Sequence, residues 1–224
     1  MQNNGRSLAI DLLIGAGAGI VATAVTGGVD RFLSGYVSTT QRLRERRVRR
    51  RSAHAEAAWR VGQSIGGRWP SRRARRTGSI LFGTGYGALW GVIYAAVRRQ
   101  APVVSSGAGV PFAVPFFLAC DGLIAPLAGL TPGLRRLPWQ VNAKELANHV
   151  AWTATAELTH RTVCALVDRA RKAREDREAR HARDAEQERE QEREQELMAE
   201  QRAPRVVERR AGARQLRSAP RPGA

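Results

Sequence analysis

The chain alternates between long runs without charge and stretches crowded with it. Residues 8–29, 78–97 and 103–130 are almost continuously apolar, whereas 31–76 and 161–221 hold most of the arginine and acidic residues. A bilayer core of ~30 Å is crossed by roughly 20 apolar helical residues, a length each of the three runs reaches. The first has a single charge, Asp11, and the third has only Asp121. The second has none and is bracketed by Arg75 and Arg76 on one side and Arg98 and Arg99 on the other. A core helix of a soluble protein keeps a polar face for water, and 78–97 lacks one. A fourth run, 146–167, is long enough but carries His149, Glu157, His160 and Arg161. The pattern predicts an all-α fold: a small helical membrane bundle of about four helices. A cleaved leader is disfavoured for the first run. Cleavage after "ATA" at 22–24 would export the arginine-rich stretch behind it.

Spacing within the apolar runs predicts how they pack. Gly83, Gly87, Gly91 and Ala95 recur every four residues, as do Gly15, Gly19, Thr23 and Gly27. Lipid supplies no hydrophobic push between helices, so small-residue ridges that let backbones approach are a main means of association. Asp11 continues the first ridge and so faces a partner helix or sits at the interface, not in lipid. Tyr86, Trp90 and Tyr94 form an aromatic stripe that reads as packing and an interfacial anchor. Cys120 and Cys164 both lie in apolar runs without metal-ligand spacing.

A net charge of +17 invites a nucleic-acid reading, but the charges are segregated as in the basic loops of a membrane protein. Loop 30–77 has 14 Arg and no Lys. Thr39 or Thr40 is placed to cap a helix through "QRLRERRVRRRSAHAEAAWRVGQS", with Val48, Ala55 and Trp59 on one side and "GGRWPSRR" ending it. Such a helix suits anionic headgroups; alternatively its arginines only hold the loop in the cytoplasm. Nucleic acid ranks behind both. Residues 1–168 read as a membrane domain, 169–201 as a charged solvated helix with i, i+4 pairs, and 202–224 as a disordered tail. The arginine excess puts the first loop inside and the N-terminus outside. Four full crossings then put the tail outside as well, unless the amphipathic fourth run lies at the interface.

The third run contains Pro111, Pro115 and Pro126, which predict a kink or interruption. On the fourth, Glu145, His149, Thr153, Glu157, His160 and Cys164 share an arc of about 120°, with Ala147, Ala151, Ala154, Leu158 and Ala165 opposite. The polar arc is the natural neighbour for Asp121.

One motif is specific. "GLTP", four residues, then "LPW", followed by Asn142, Glu145, His149, Trp152 and Glu157 at these intervals, resembles the YagU family of bacterial inner-membrane proteins. The tight part covers 129–157, with Gly129, Thr131, Pro132, Pro138, Trp139 and Trp152 as motif positions; the earlier runs match only in order and length. The resemblance implies a small multi-pass helical protein of the bacterial inner membrane, without an established activity, and it supplies no catalytic site. The arginine-rich loop and charged tail lie outside it.

Ionisable groups inside membrane segments are candidates for function because they are costly to place there. Asp11, Asp121, Glu145, His149, Thr153 and Glu157 form the candidate polar cluster, a proton or cation path in which a histidine can titrate near neutral pH. The alternative is a hydrogen-bonded structural cluster with Asp121 protonated or paired and Glu157 bridged to Arg161. Glu145 and His149 could share a metal; His149 and His160, about 16 Å apart along a helix, could not. No nucleophile–base pair, phosphate-cradling loop or CxxC is present, so no catalytic residue, cofactor or metal site is assigned. The expected function is a structural or interaction protein of the cytoplasmic membrane, with the lipid bilayer, anionic headgroups met by the basic loop, and a second copy of the chain as partners. The alternative is a small transporter or proton-coupled channel using the carboxylates and His149.

Overall fold

The computed structural model describes residues 7–49, 53–66 and 72–217. No strand occurs among them, in line with the all-α expectation. The chain divides into two units, Met1–Leu166 and Val167–Ala224.

In the first unit, helix α1 (Leu8–Ser34) is capped by Ser7, whose hydroxyl accepts from the Ile10 amide. It runs beyond the expected end at 29, with Arg31 in its last turn, where a cation suits the helix dipole. Helix α2 (Thr39–Val48) is capped by Ser38 rather than Thr39 or Thr40. Extended backbone at Ser38 puts its hydroxyl on the Gln41 amide, so both threonines fall inside the helix. The single basic helix expected from 39 onward is two helices. It stops at Arg49, whose backbone is extended, and α3 (Ala53–Gly66) follows. The arginine turns out of the helix line because it is held by Glu45 and by Glu145 of a distant segment. The expected apolar edge also differs: Val48 is exposed, while Ala58 is buried. Most of the break expected at 66–73 lies outside the described residues.

Helix α4 (Arg72–Gln100) starts before the expected 78 and packs antiparallel to α1 through the small residues of both ridges. A Cβ on Gly19 would come within 2.0 Å of the Gly87 carbonyl oxygen, and one on Gly91 within 2.1 Å of that of Gly15. Gly83 is buried, whereas Gly27 has open space where its side chain would be. The ridges therefore touch over part of their length and part near Gly27.

The third apolar run is broken, as its prolines predict. A 3-10 stretch (Pro102–Gly109) ends in three left-handed residues, Gly107, Ala108 and Gly109. At Gly109, with φ of 83°, a side chain would also press on the Thr153 carbonyl oxygen at 3.0 Å. Helix α5 (Val110–Phe117) widens into a π-helical turn (Leu118–Ile124), then tightens into α6 (Ala125–Leu127). Pro126 has no amide hydrogen to give and its ring crowds the carbonyl four residues back, which favours the wider turn. Asp121 lies in that turn.

Helix α7 (Trp139–Arg217) supplies the fourth run from its first turns. Tyr94, Phe112, Phe116, Trp152 and Ala156 join α4, α5 and α7 in one apolar core with Ala22 of α1. Among the described residues, three segments are long and apolar enough to cross a membrane: Leu8–Ser34, Arg76–Gln100 and Pro102–Leu127. In the second unit the helix is exposed and charged, with Arg171 donating to Glu175 one turn on. Its backbone stays helical to Arg217, past 202, where disorder was expected; alanine, arginine, glutamate and glutamine are strong helix formers.

Candidate functional site

The candidate polar residues do not form one path. Along α7, His149 and Glu157 are eight residues apart, about 12 Å of helix rise, and Trp152 and Ala156 fill the space between with apolar core. Asp11 and Glu157 belong to one cluster, and Asp121, Glu145 and His149 to another.

The first cluster is saturated. Glu157, 1 % exposed, accepts from Tyr94 Oη at 2.7 Å, from Arg98 Nε and Nη2 at 3.0 Å each, and from Arg161 Nε. Arg99 pairs with Asp11 at 3.0 Å. Arg98 also places Nη1 3.2 Å from His160 Nδ1, and since a guanidinium only donates, that nitrogen accepts. Donor atoms of Asp11, His160 and Cys164 lie within 4.8 Å of one another, a set whose types would suit a zinc-like ion. Arg99 already engages Asp11 and Arg98 engages His160 Nδ1, and the charge of two guanidiniums opposes a dication. Thr153, fully buried, spends its hydroxyl on the Val150 carbonyl one turn back. This end of the unit is built for holding helices together.

The second cluster lines a cavity of about 490 Å³, a volume in the range of small-molecule sites. One wall is aromatic. Tyr86 and Trp90 of α4 stand at 6.1 Å, Trp90 and Phe116 at 4.5 Å, and Phe116 and Trp152 at 5.1 Å between ring centroids. The other side is polar. Lys144 donates to Asp30 Oδ1 at 2.7 Å, Asn148 donates to the same oxygen at 2.9 Å, and Arg49 pairs with Glu145 at 2.9 Å. Burial works against charge at Arg49, but Glu145 and Glu45 outweigh it and raise the guanidinium above its ordinary value. Lys144 is likewise opposed by burial and raised by Glu145 and Asp30. Those four groups thus neutralise one another in pairs.

Asp121 is different. Its nearest charged partner is His149, with Nδ1 3.8 Å from Oδ2, beyond hydrogen-bond reach. That Nδ1 lies 2.9 Å from the Glu145 carbonyl oxygen, an acceptor only, so its hydrogen goes there. The His149 ring is clamped edge-on by Phe116 and Phe117. Among the described residues the Asp121 carboxylate accepts no hydrogen bond, and it faces the cavity from the π-helical turn.

Most motif residues hold the fold around this cavity. Gly129 turns with φ of 65°, and its carbonyl and that of Ala128 accept from the two terminal nitrogens of Arg60 at 2.8 Å each. Pro138 leads into α7, where Trp139 is exposed, and Asn142 ties back to the Leu134 carbonyl. Trp152 donates to Thr23 of α1 at 3.0 Å. Thr131 and Pro132 are half-buried in the turn between α6 and α7.

Sequence reasoning missed Arg98, Lys144, Asn148, Asp30 and Arg49. A signal existed for some of them. Arg98 continues the stripe 86, 90, 94 by one more step of four, and Lys144, Asn148 and Trp152 share the same spacing. Asp30 and Arg49 carried none, because their partners are 114 and 96 residues away. Set against known proteins, the chain matches no family model, no curated protein and no solved structure.

Proposed function

We propose that the chain is a multi-pass protein of the bacterial cytoplasmic membrane, akin to the YagU family, in which four helices surround the cavity and the cavity binds and passes a small solute. The observation that carries this is Asp121: a carboxylate on a π-helical turn inside an apolar segment, facing a cavity and accepting no hydrogen bond among the described residues. Ionisable groups left so exposed to a membrane-buried cavity mark substrate or proton routes. Asp121 and His149 form the responsive pair. The charged and titratable groups around them are Glu145 and Lys144 from α7, Asp30 from α1, Arg49 after α2, Tyr86 from α4 and neighbouring Cys120. The arginine excess of loop 30–77 favours a cytoplasmic mouth, with α2 and α3 against anionic headgroups.

The test is proton movement by the purified full-length protein in liposomes under an imposed gradient. The wild type should dissipate the gradient in the presence of a transported solute, and Asp121→Ala should abolish this while the protein still assembles. A structural or interaction role is the second reading, favoured by the saturated Glu157 cluster. Lost assembly without any permeability change would select it. Cysteines introduced at 55 and 205 and labelled from outside intact cells test the topology; labelling at 55 would reverse it.

A further inference from the structure

The solute class follows from how charge is distributed over the cavity wall. Asp30, Asp121 and Glu145 line it as acids, with Arg49 and Lys144 as bases. Lys144 is taken by Asp30 at 2.7 Å and Arg49 by Glu145 at 2.9 Å, so the pairs cancel. Arg49 is engaged further by Glu45 at 2.6 Å, which leaves it little capacity for an anionic guest. His149, also on the wall, gives its Nδ1 hydrogen to the Glu145 carbonyl and not to Asp121, so with the imidazole neutral Asp121 remains as the surplus charge.

The same cavity is lined by aromatic rings. Tyr86, Trp90, Phe116 and Trp152 stand in van der Waals succession along one wall. An aromatic face carries negative quadrupolar potential and attracts cations, most strongly where water is excluded. An anion would meet both the rings and Asp121 unfavourably. A neutral apolar guest would gain from the rings but leave the carboxylate desolvated without a counter-charge. A strongly hydrated small cation would have only one carboxylate with which to replace its water shell, since rings are poor ligands for hard ions. What satisfies both surfaces is a cation with an apolar shell.

We propose that the cavity binds a small organic cation, a quaternary ammonium or protonated amine with an apolar body, with Asp121 as its counter-ion and the Tyr86–Trp90–Phe116–Trp152 wall as its cradle. The proposal rests on the reading of the cavity as a solute site and adds the class of solute.

The test compares three phenyl probes on the full-length protein in lipid nanodiscs, by titration calorimetry and competition. Benzyltrimethylammonium is the cation, neopentylbenzene its uncharged isostere and benzenesulfonate an anion. The cation should bind saturably and at least about tenfold more tightly than either other probe, a gap equivalent to about 1.4 kcal/mol. Asp121→Asn should remove that preference. Trp90→Leu, which keeps the carboxylate and an apolar side chain but removes the ring, should weaken the cation more than the neutral isostere; it carries the test if the aspartate variant does not assemble. Equal binding of cation and isostere, or an unchanged preference in either variant, overturns the cation assignment while leaving the cavity a solute site. Failure of Ala57→Trp, placed to fill the cavity, to displace any probe would instead overturn the cavity reading itself.

Discussion

The two polar clusters of the first unit use the same kinds of side chain to opposite ends. Around Glu157, three donors converge on one carboxylate, and Asp11 is held by Arg99. Around Asp121, four other charged groups line open space, and among the described residues the aspartate accepts from no donor. The helix ridges follow the same gradient. Gly15 and Gly19 are in backbone contact with α4, while a Cβ on Gly27, three turns on from Gly15 and next to the cavity, would meet no neighbour among the described residues within 4 Å. Buried charge by itself therefore does not mark a site; buried charge without enough partners, beside volume, does.

The sharpest break of this comparison is Glu157→Gln against Asp121→Asn. Removing one partner of a buried ion pair leaves the other uncompensated, at about 3–5 kcal/mol. Glu157→Gln strands Arg98 and should lower the detergent melting temperature steeply. Asp121→Asn strands nothing and should stay within about 1 kcal/mol of wild type. Similar losses for both would erase the distinction between the clusters.

Next comes the ridge. Gly19→Leu must push against the Gly87 carbonyl and should cost about 1–3 kcal/mol or more by overpacking. Gly27→Leu projects into open space and should melt with wild type. Equal sensitivity would mean that α1 and α4 stay in contact along their whole length.

A smaller effect is expected at the cavity edge. Arg60→Ala removes two hydrogen bonds to the carbonyls of Ala128 and Gly129, worth about 1 kcal/mol together because the side chain is half exposed. Hydrogen exchange at 128–131 should rise, with the Glu157 end unaffected.

The smallest effect is a pH dependence. Lys144 is raised in the folded state, so its contribution is fully present below the ordinary lysine value of about 10.4 and fades as pH climbs through the raised one. The melting difference between wild type and Lys144→Met should be constant from neutral pH to that value and shrink above it. A difference already shrinking near pH 8 would contradict the pairing of Lys144 with Asp30 and Glu145.

The sequence by itself determined the helical class, three segments fit to cross a membrane, the small-residue contact of α1 with α4 and the break in the proline-bearing run. Each depends on periodicity or composition within a few turns, where backbone chemistry acts directly. It also put Asp121 beside the polar face of α7, since a carboxylate and that face have few other places to go. Only the tertiary structure decided that this face is two clusters rather than one. Trp152 and Ala156 lie on α7 between them, but nothing local says that Phe112, Phe116 and Tyr94 close around that stretch. It likewise decided which charges are spent. Arg49, expected on a surface helix, reaches Glu145 across 96 residues, and Lys144 reaches Asp30 across 114. Pairing at such separations depends on how whole helices pack, and the surplus of charge left on Asp121 is set by those distant pairs.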